Sequence, residues 1–116
     1  MDVLVVDPAF TFPELLPRLM PQVRFRHVAG ADEALEAVLS RRPALVIVDE
    51  NLPGQSGTWL LARLREIVVG VPAILTSITP EDERLLDELD DLGVDWFQPK
   101  PYALFELAEA ARELLG

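Results

Sequence analysis

The chain has 116 residues, half of them hydrophobic, which is enough for one domain with a real core and excludes a disordered segment. Twenty acidic against ten basic residues give a net charge of −10. That argues against direct contact with a nucleic-acid backbone and suits metal cations or a basic partner surface. There is no cysteine, which removes disulfides, thiol catalysis and thiolate metal sites. No apolar run is long enough to span a membrane, and no basic region precedes an apolar stretch at the start, so neither a membrane anchor nor a signal peptide is expected. The expected compartment is the cytoplasm.

Apolar runs alternate with segments of helical period. The first strand is predicted at 3–6, Val3-Leu4-Val5-Val6, and ends on Asp7. A short helix is predicted near 12–20, with Thr11-Phe12-Pro13-Glu14 as a capping box and Pro17 as a source of a kink or early stop. Strand 2 is predicted at 23–28, where Val23 and Phe25 alternate with Arg24 and Arg26. Helix 2 covers about 31–41, with Ala34, Leu35, Val38 and Leu39 on one face. Strand 3, predicted at 44–48, is wholly apolar and ends on Asp49. A turn-rich loop containing Pro53-Gly54 leads into helix 3 at 57–67, which buries Leu60, Leu61 and Leu64. Strand 4 is predicted at 73–76. Helix 4, at about 81–92, is started by Thr79-Pro80 and stopped by Gly93, with the stripe Leu85, Leu86, Leu89 and Leu92. Strand 5, at 94–98, precedes Lys100-Pro101, and helix 5 covers about 104–115.

Five strand–helix repeats imply an α/β fold with one doubly wound parallel sheet and helices on both faces. Strands 1, 3 and 4 read as continuous apolar runs, as expected for strands buried on both sides. Strands 2 and 5 mix polar with apolar residues, which suits the edges. The order 2-1-3-4-5 follows, and in that order the ligand crevice lies at the carboxyl ends of strands 1 and 3, between Asp7 and Asp49. Lys100 follows the fifth strand, so an acidic pocket with its own ammonium is expected, suited to a divalent metal and a phosphoryl group. No linker or repeat divides residues 1–116, which are read as one domain.

The chain resembles a response-regulator receiver domain of two-component signalling along essentially its whole length. The resemblance rests on Val5-Val6-Asp7, Val46-Ile47-Val48-Asp49, Asn51, Leu52-Pro53-Gly54, Gly57, Leu75-Thr76-Ser77, Phe97 and Lys100-Pro101, each in order and most at a strand end. It implies that Asp49 accepts a phosphoryl group from a histidine kinase or phosphotransfer protein. Asp7, Asp49 and the Asn51 carbonyl would hold Mg2+, whose preferred ligands are hard oxygens. Thr76 and Lys100 would meet the phosphoryl group, Phe97 would be the aromatic switch, and the Lys100–Pro101 peptide is commonly cis in such domains. The implied role is signalling to an output protein or domain, not enzymatic turnover.

Two positions depart from that pattern. Pro8 stands where the family usually has a second acid that touches the metal, so weak Mg2+ binding is expected. Ser56 stands where an aspartate is common. Pro8 also supports an alternative: a pseudo-receiver that binds proteins without phosphoryl chemistry. A small flavodoxin-like enzyme or cofactor binder is disfavoured by the absence of a glycine-rich phosphate loop after strand 1. Singly, Asp7 and Asp49 read as turn caps, Thr76 as a strand residue and Lys100 as a solvated lysine. His27 is read as lying on an edge strand far from the pocket, without a role, and Trp59 and Trp96 as packing or partner-surface residues. Helix 4 carries Glu81, Asp82, Glu83, Asp87, Glu88, Asp90 and Asp91 against only Arg84. The family's output surface of helix 4, strand 5 and helix 5 is therefore expected to repel its own copy, leaving the isolated domain monomeric or dimerising through another face.

Overall fold

Five strands, each followed by a helix, emerge where apolar runs alternate with amphipathic segments. A computed structural model describes residues 1–9, 11–77, 83–100 and 104–116, with only the backbone described for 11–14 and 83–86. The elements in chain order are β1 (Asp2–Val6), α1 (Thr11–Leu19), β2 (Arg24–Val28), α2 (Ala31–Ser40) and β3 (Leu45–Asp49). They continue with α3 (Gly57–Ile67), β4 (Ala73–Ser77), α4 (Glu83–Asp91), β5 (Trp96–Pro99) and α5 (Leu104–Leu115). The sheet is wholly parallel, in the order β2-β1-β3-β4-β5. The three inner strands are buried along nearly their whole length, and both edge strands are partly exposed.

Strand alternation divides the core into two layers. Leu4, Val6, Val46, Val48, Ala73 and Leu75 point to one face, where they meet residues of α2, α3 and α4 such as Ala34, Leu60, Leu61 and Leu89. Val3, Val5, Leu45, Ile47 and Ile74 point to the other, against Leu16 of α1 and Leu107, Ala108 and Ala111 of α5. Odd positions of β1 and β3 therefore share the α1/α5 face, and the same parity carries to Asp7 and Asp49.

The helix ends follow local chemistry. Ser56 caps α3 by accepting the Trp59 N–H at 3.0 Å. Gly93, at φ +68°, ends α4 as expected, with its N–H on Asp90 O and the Val94 N–H on Leu89 O. That second bond draws Val94 into the helix cap, so β5 starts at Trp96, two residues later than predicted. Asp95 then pairs with β4 through Ala73 in both directions. Arg65 of α3 donates to Val71 O, Leu92 O and Gly93 O, tying the end of α4 to the sheet. Pro17 lies inside α1, which spans nine residues. The Thr11–Glu14 capping side chains, the Thr79-Pro80 start of helix 4, Glu81 and Asp82, the Leu85 and Leu86 side chains and the Lys100–Pro101 peptide lie outside the described residues.

Candidate functional site

The parallel ladder brings the ends of β1, β3 and β4 side by side. Asp49 closes β3 in register with Thr76 of β4, and Asp7 follows Val6, which is paired with Val48. Lys100 arrives from the far edge, its own N–H held by Ser77 O at 2.7 Å. From there its side chain reaches back across the sheet. The Nζ atom lies 3.0 Å from Asp7 Oδ2 and 3.1 Å from Asp49 Oδ2. The Asp7 side chain is 1% exposed, that of Asp49 5%, and that of Lys100 17%. One ammonium thus serves two buried carboxylates, which burial alone would strongly penalise.

The other oxygen of each carboxylate is also engaged. Asp7 Oδ1 accepts the Ala9 N–H at 2.8 Å, and Asp49 Oδ1 accepts the Asn51 N–H at 3.1 Å. Both are turns in which aspartate bonds to the backbone two residues on. Asn51, exposed, therefore meets Asp49 through its N–H. Thr76 is 1% exposed, and its Oγ1 has no hydrogen-bond partner among the described residues. That hydroxyl can donate its proton to an acceptor that enters the pocket.

The predicted pocket is therefore brought together: Asp7, Asp49, Thr76 and Lys100 meet at the carboxyl edge. Phe97 is paired with Leu75 and packs half-buried on the α2–α4 face, opposite the carboxylates. Pro8 is exposed and offers no side-chain oxygen. The reading of His27 as remote needs correction. Its Nε2 lies 2.8 Å from the carbonyl oxygen of Asp7. The signal was present in the register, because Val5 pairs with His27. In a parallel pair, residues 5, 7, 25 and 27 then share one face.

One approach of backbone to the site is tight. A Cβ on Gly57 would lie 2.5 Å from Asp49 O and 2.9 Å from Glu50 Cα, so only glycine fits where α3 begins. Glu50 accepts the Thr58 N–H at 2.7 Å, fixing the same turn from its other side.

A five-stranded sheet in this order, with two acids, a hydroxyl and a lysine at its carboxyl edge, meets a family model that matches residues 3–112, described as the response regulator receiver domain. The chain belongs to that family. The receiver is 26% identical to the phosphate regulon transcriptional regulatory protein PhoB of Pseudomonas aeruginosa, covering 97% of this chain and 51% of that one. It is also 26% identical to the sporulation initiation phosphotransferase F of Bacillus subtilis, covering 97% of this chain and 92% of that one. The chain thus spans about half of the first relative and nearly all of the second. Among solved structures, the signal receiver domain of an HD domain-containing protein from Pseudomonas fluorescens superposes with a TM-score of 0.85 at 28% identity, covering 98% of this chain and 85% of that one. Receivers are signalling domains of two-component response regulators, which work with histidine kinases and output domains. Among the described residues, no helix is long and apolar enough to cross a membrane.

Proposed function

We propose that this receiver is a phosphoacceptor switch, phosphorylated on Asp49. The observation that carries this reading is the shared Lys100 ammonium between Asp7 and Asp49, with the Thr76 hydroxyl, which has no partner among the described residues, in register beside Asp49. In the transfer, an Asp49 carboxylate oxygen bonds to phosphorus as the phosphorus–nitrogen bond of a phosphohistidine breaks. The electron pair leaves with the imidazole nitrogen, which takes up a proton. The product is an acyl phosphate on Asp49. Lys100 offers a cation to the new phosphoryl oxygens, and Thr76 offers an O–H. Phe97, on the far face, would carry the change toward α4.

Receivers of this family generally use Mg2+. The oxygen donors here are of the right kind, namely the Asp7 and Asp49 carboxylates and the Asn51 carbonyl. They fit the ion weakly. Both Oδ2 atoms hold Lys100, Pro8 adds nothing, and no cluster of three or more metal-ligating side chains stands among the described residues. A bound Mg2+ would supply positive charge against the phosphoryl oxygens.

The output surface would be α4, β5 and α5. Trp96, 45% exposed, lines a cleft of about 280 Å3 with Glu106, Glu109, Ala110 and Glu113. Its exposed acids favour a partner with cationic side chains.

Intact mass after incubation with a small phosphodonor and Mg2+ tests the reading. One added phosphoryl group is expected on the wild type and none on Asp49→Asn, while Pro8→Asp labels faster and binds Mg2+ more tightly. A second reading, a pseudo-receiver that binds partners without phosphorylation, is favoured by the full engagement of both carboxylates by internal donors. It wins if the wild type takes up no phosphoryl group at high Mg2+ and Pro8→Asp does not rescue labelling.

A further inference from the structure

The one histidine in the chain stands directly behind the site. His27 Nε2 lies 2.8 Å from Asp7 O. A carbonyl oxygen only accepts, so in this contact Nε2 carries the proton and donates it. The position matters because of the turn that Asp7 opens. The β1–β2 ladder ends at the pair Val6–Val28, and the Asp7 N–H still reaches Val28 O at 3.0 Å. Pro8 has no N–H to give, both Pro8 and Ala9 are exposed, and the Ala9 N–H is spent on the carboxylate of Asp7 itself.

We propose that His27 is a positioning residue for Asp7. Its imidazole holds the Asp7–Pro8 peptide at the carbonyl while Val28 holds the Asp7 N–H, so the residue is gripped on both sides. The carboxylate is thereby aimed at Lys100 and toward Asp49. The role rests on the reading of Asp49 as phosphoacceptor, since it acts on the same pocket. It also fits the Pro8 departure. A turn that has lost a main-chain donor is steadied by a side chain from the neighbouring edge strand. Phe25, on the same face two residues earlier, packs against the core, and the half-buried His27 ring gives a polar donor to the Asp7 carbonyl.

The test compares His27→Leu, which removes the donor, with His27→Gln, whose amide Nε2 can take the place of the imidazole nitrogen. Three quantities are read on the full chain: the rate of Asp49 labelling by a small phosphodonor with Mg2+, amide hydrogen exchange at Ala9 against Val5 and Ile47, and thermal stability. Loss of a partner that orients a site ligand typically costs about 10–100-fold, so His27→Leu is expected to label about 10-fold more slowly. Exchange at Ala9 should rise about 10-fold while Val5 and Ile47 keep their protection, and His27→Gln should restore both to within about 3-fold of wild type. A merely structural histidine would loosen Ala9 and the core strands together, and that result overturns the proposal. Labelling by His27→Leu at the wild-type rate overturns it too. If the wild type accepts no phosphoryl group, the phosphoacceptor reading fails by itself. The exchange at Ala9 then decides alone, and unchanged protection there refutes the positioning role.

Discussion

Replacing Lys100 by methionine keeps most of the side chain's length and removes its charge. In the native pocket the ammonium stands 3.0 Å from Asp7 and 3.1 Å from Asp49, whose side chains are 1% and 5% exposed. At an effective dielectric of about 20, each contact corresponds to roughly 5 kcal/mol of attraction before other terms are counted. Desolvation of the three charges and repulsion between the two carboxylates offset most of that sum. What the substitution exposes is a different quantity, the cost of leaving two buried carboxylates facing each other with no cation. Removing one partner from a buried ion pair costs about 3–5 kcal/mol. Lys100 is 17% exposed, so water reaches the site and the lower end, about 3 kcal/mol, applies. For a domain of this size that is a fall of about 12 °C in Tm. Urea and thermal denaturation followed by tryptophan fluorescence read it directly. Mg2+ supplies a second arm. In Lys100→Met the carboxylates have lost their resident cation, so a divalent ion at 100 times its Kd should return about 2.7 kcal/mol. The wild type should gain less at the same concentration, because there the ion competes with Lys100. A loss below about 0.5 kcal/mol, the range of ordinary surface substitutions, would refute the assignment of Lys100 as the counter-ion of the pocket. Equal stabilisation of both proteins by Mg2+ would refute the competition.

Gly57→Ala should destabilise by about 3 kcal/mol, since its Cβ would meet main-chain atoms of Asp49 and Glu50 that cannot give way as a side chain could. Chemical denaturation measures the loss, and a stability within error of wild type would show that α3 can slide. The isolated chain should be monomeric, because the exposed Asp87, Glu88, Asp90 and Asp91 of α4 would face like charges across a two-fold axis. Light scattering checks this, and a tight dimer abolished by Arg84→Glu would contradict it.

Much of the fold is legible because its causes are local. A strand covered on both sides must be apolar at every position, and an edge strand need not be, so the runs at β1, β3 and β4 and the mixed β2 and β5 carry the strand order in their composition. The helix end at Gly93 is likewise written in a residue whose positive φ suits the cap, whereas Ser56 reads in the sequence only as a departure from a common aspartate, and its capping of α3 came from the structure. The strand-end positions of Asp7, Asp49, Thr76 and Lys100 come from the same pattern. How they meet does not. Whether Lys100 pairs with one aspartate or two depends on three strand ends from distant parts of the chain and on the lateral reach of one flexible side chain, and only the assembled sheet decided that it takes both. The late start of β5 was settled when Val94 was drawn into the α4 cap. The contact of His27 with Asp7 depends on register between β1 and β2, a property of two segments together, and a reading of the edge strand by itself placed that ring far from the pocket it touches.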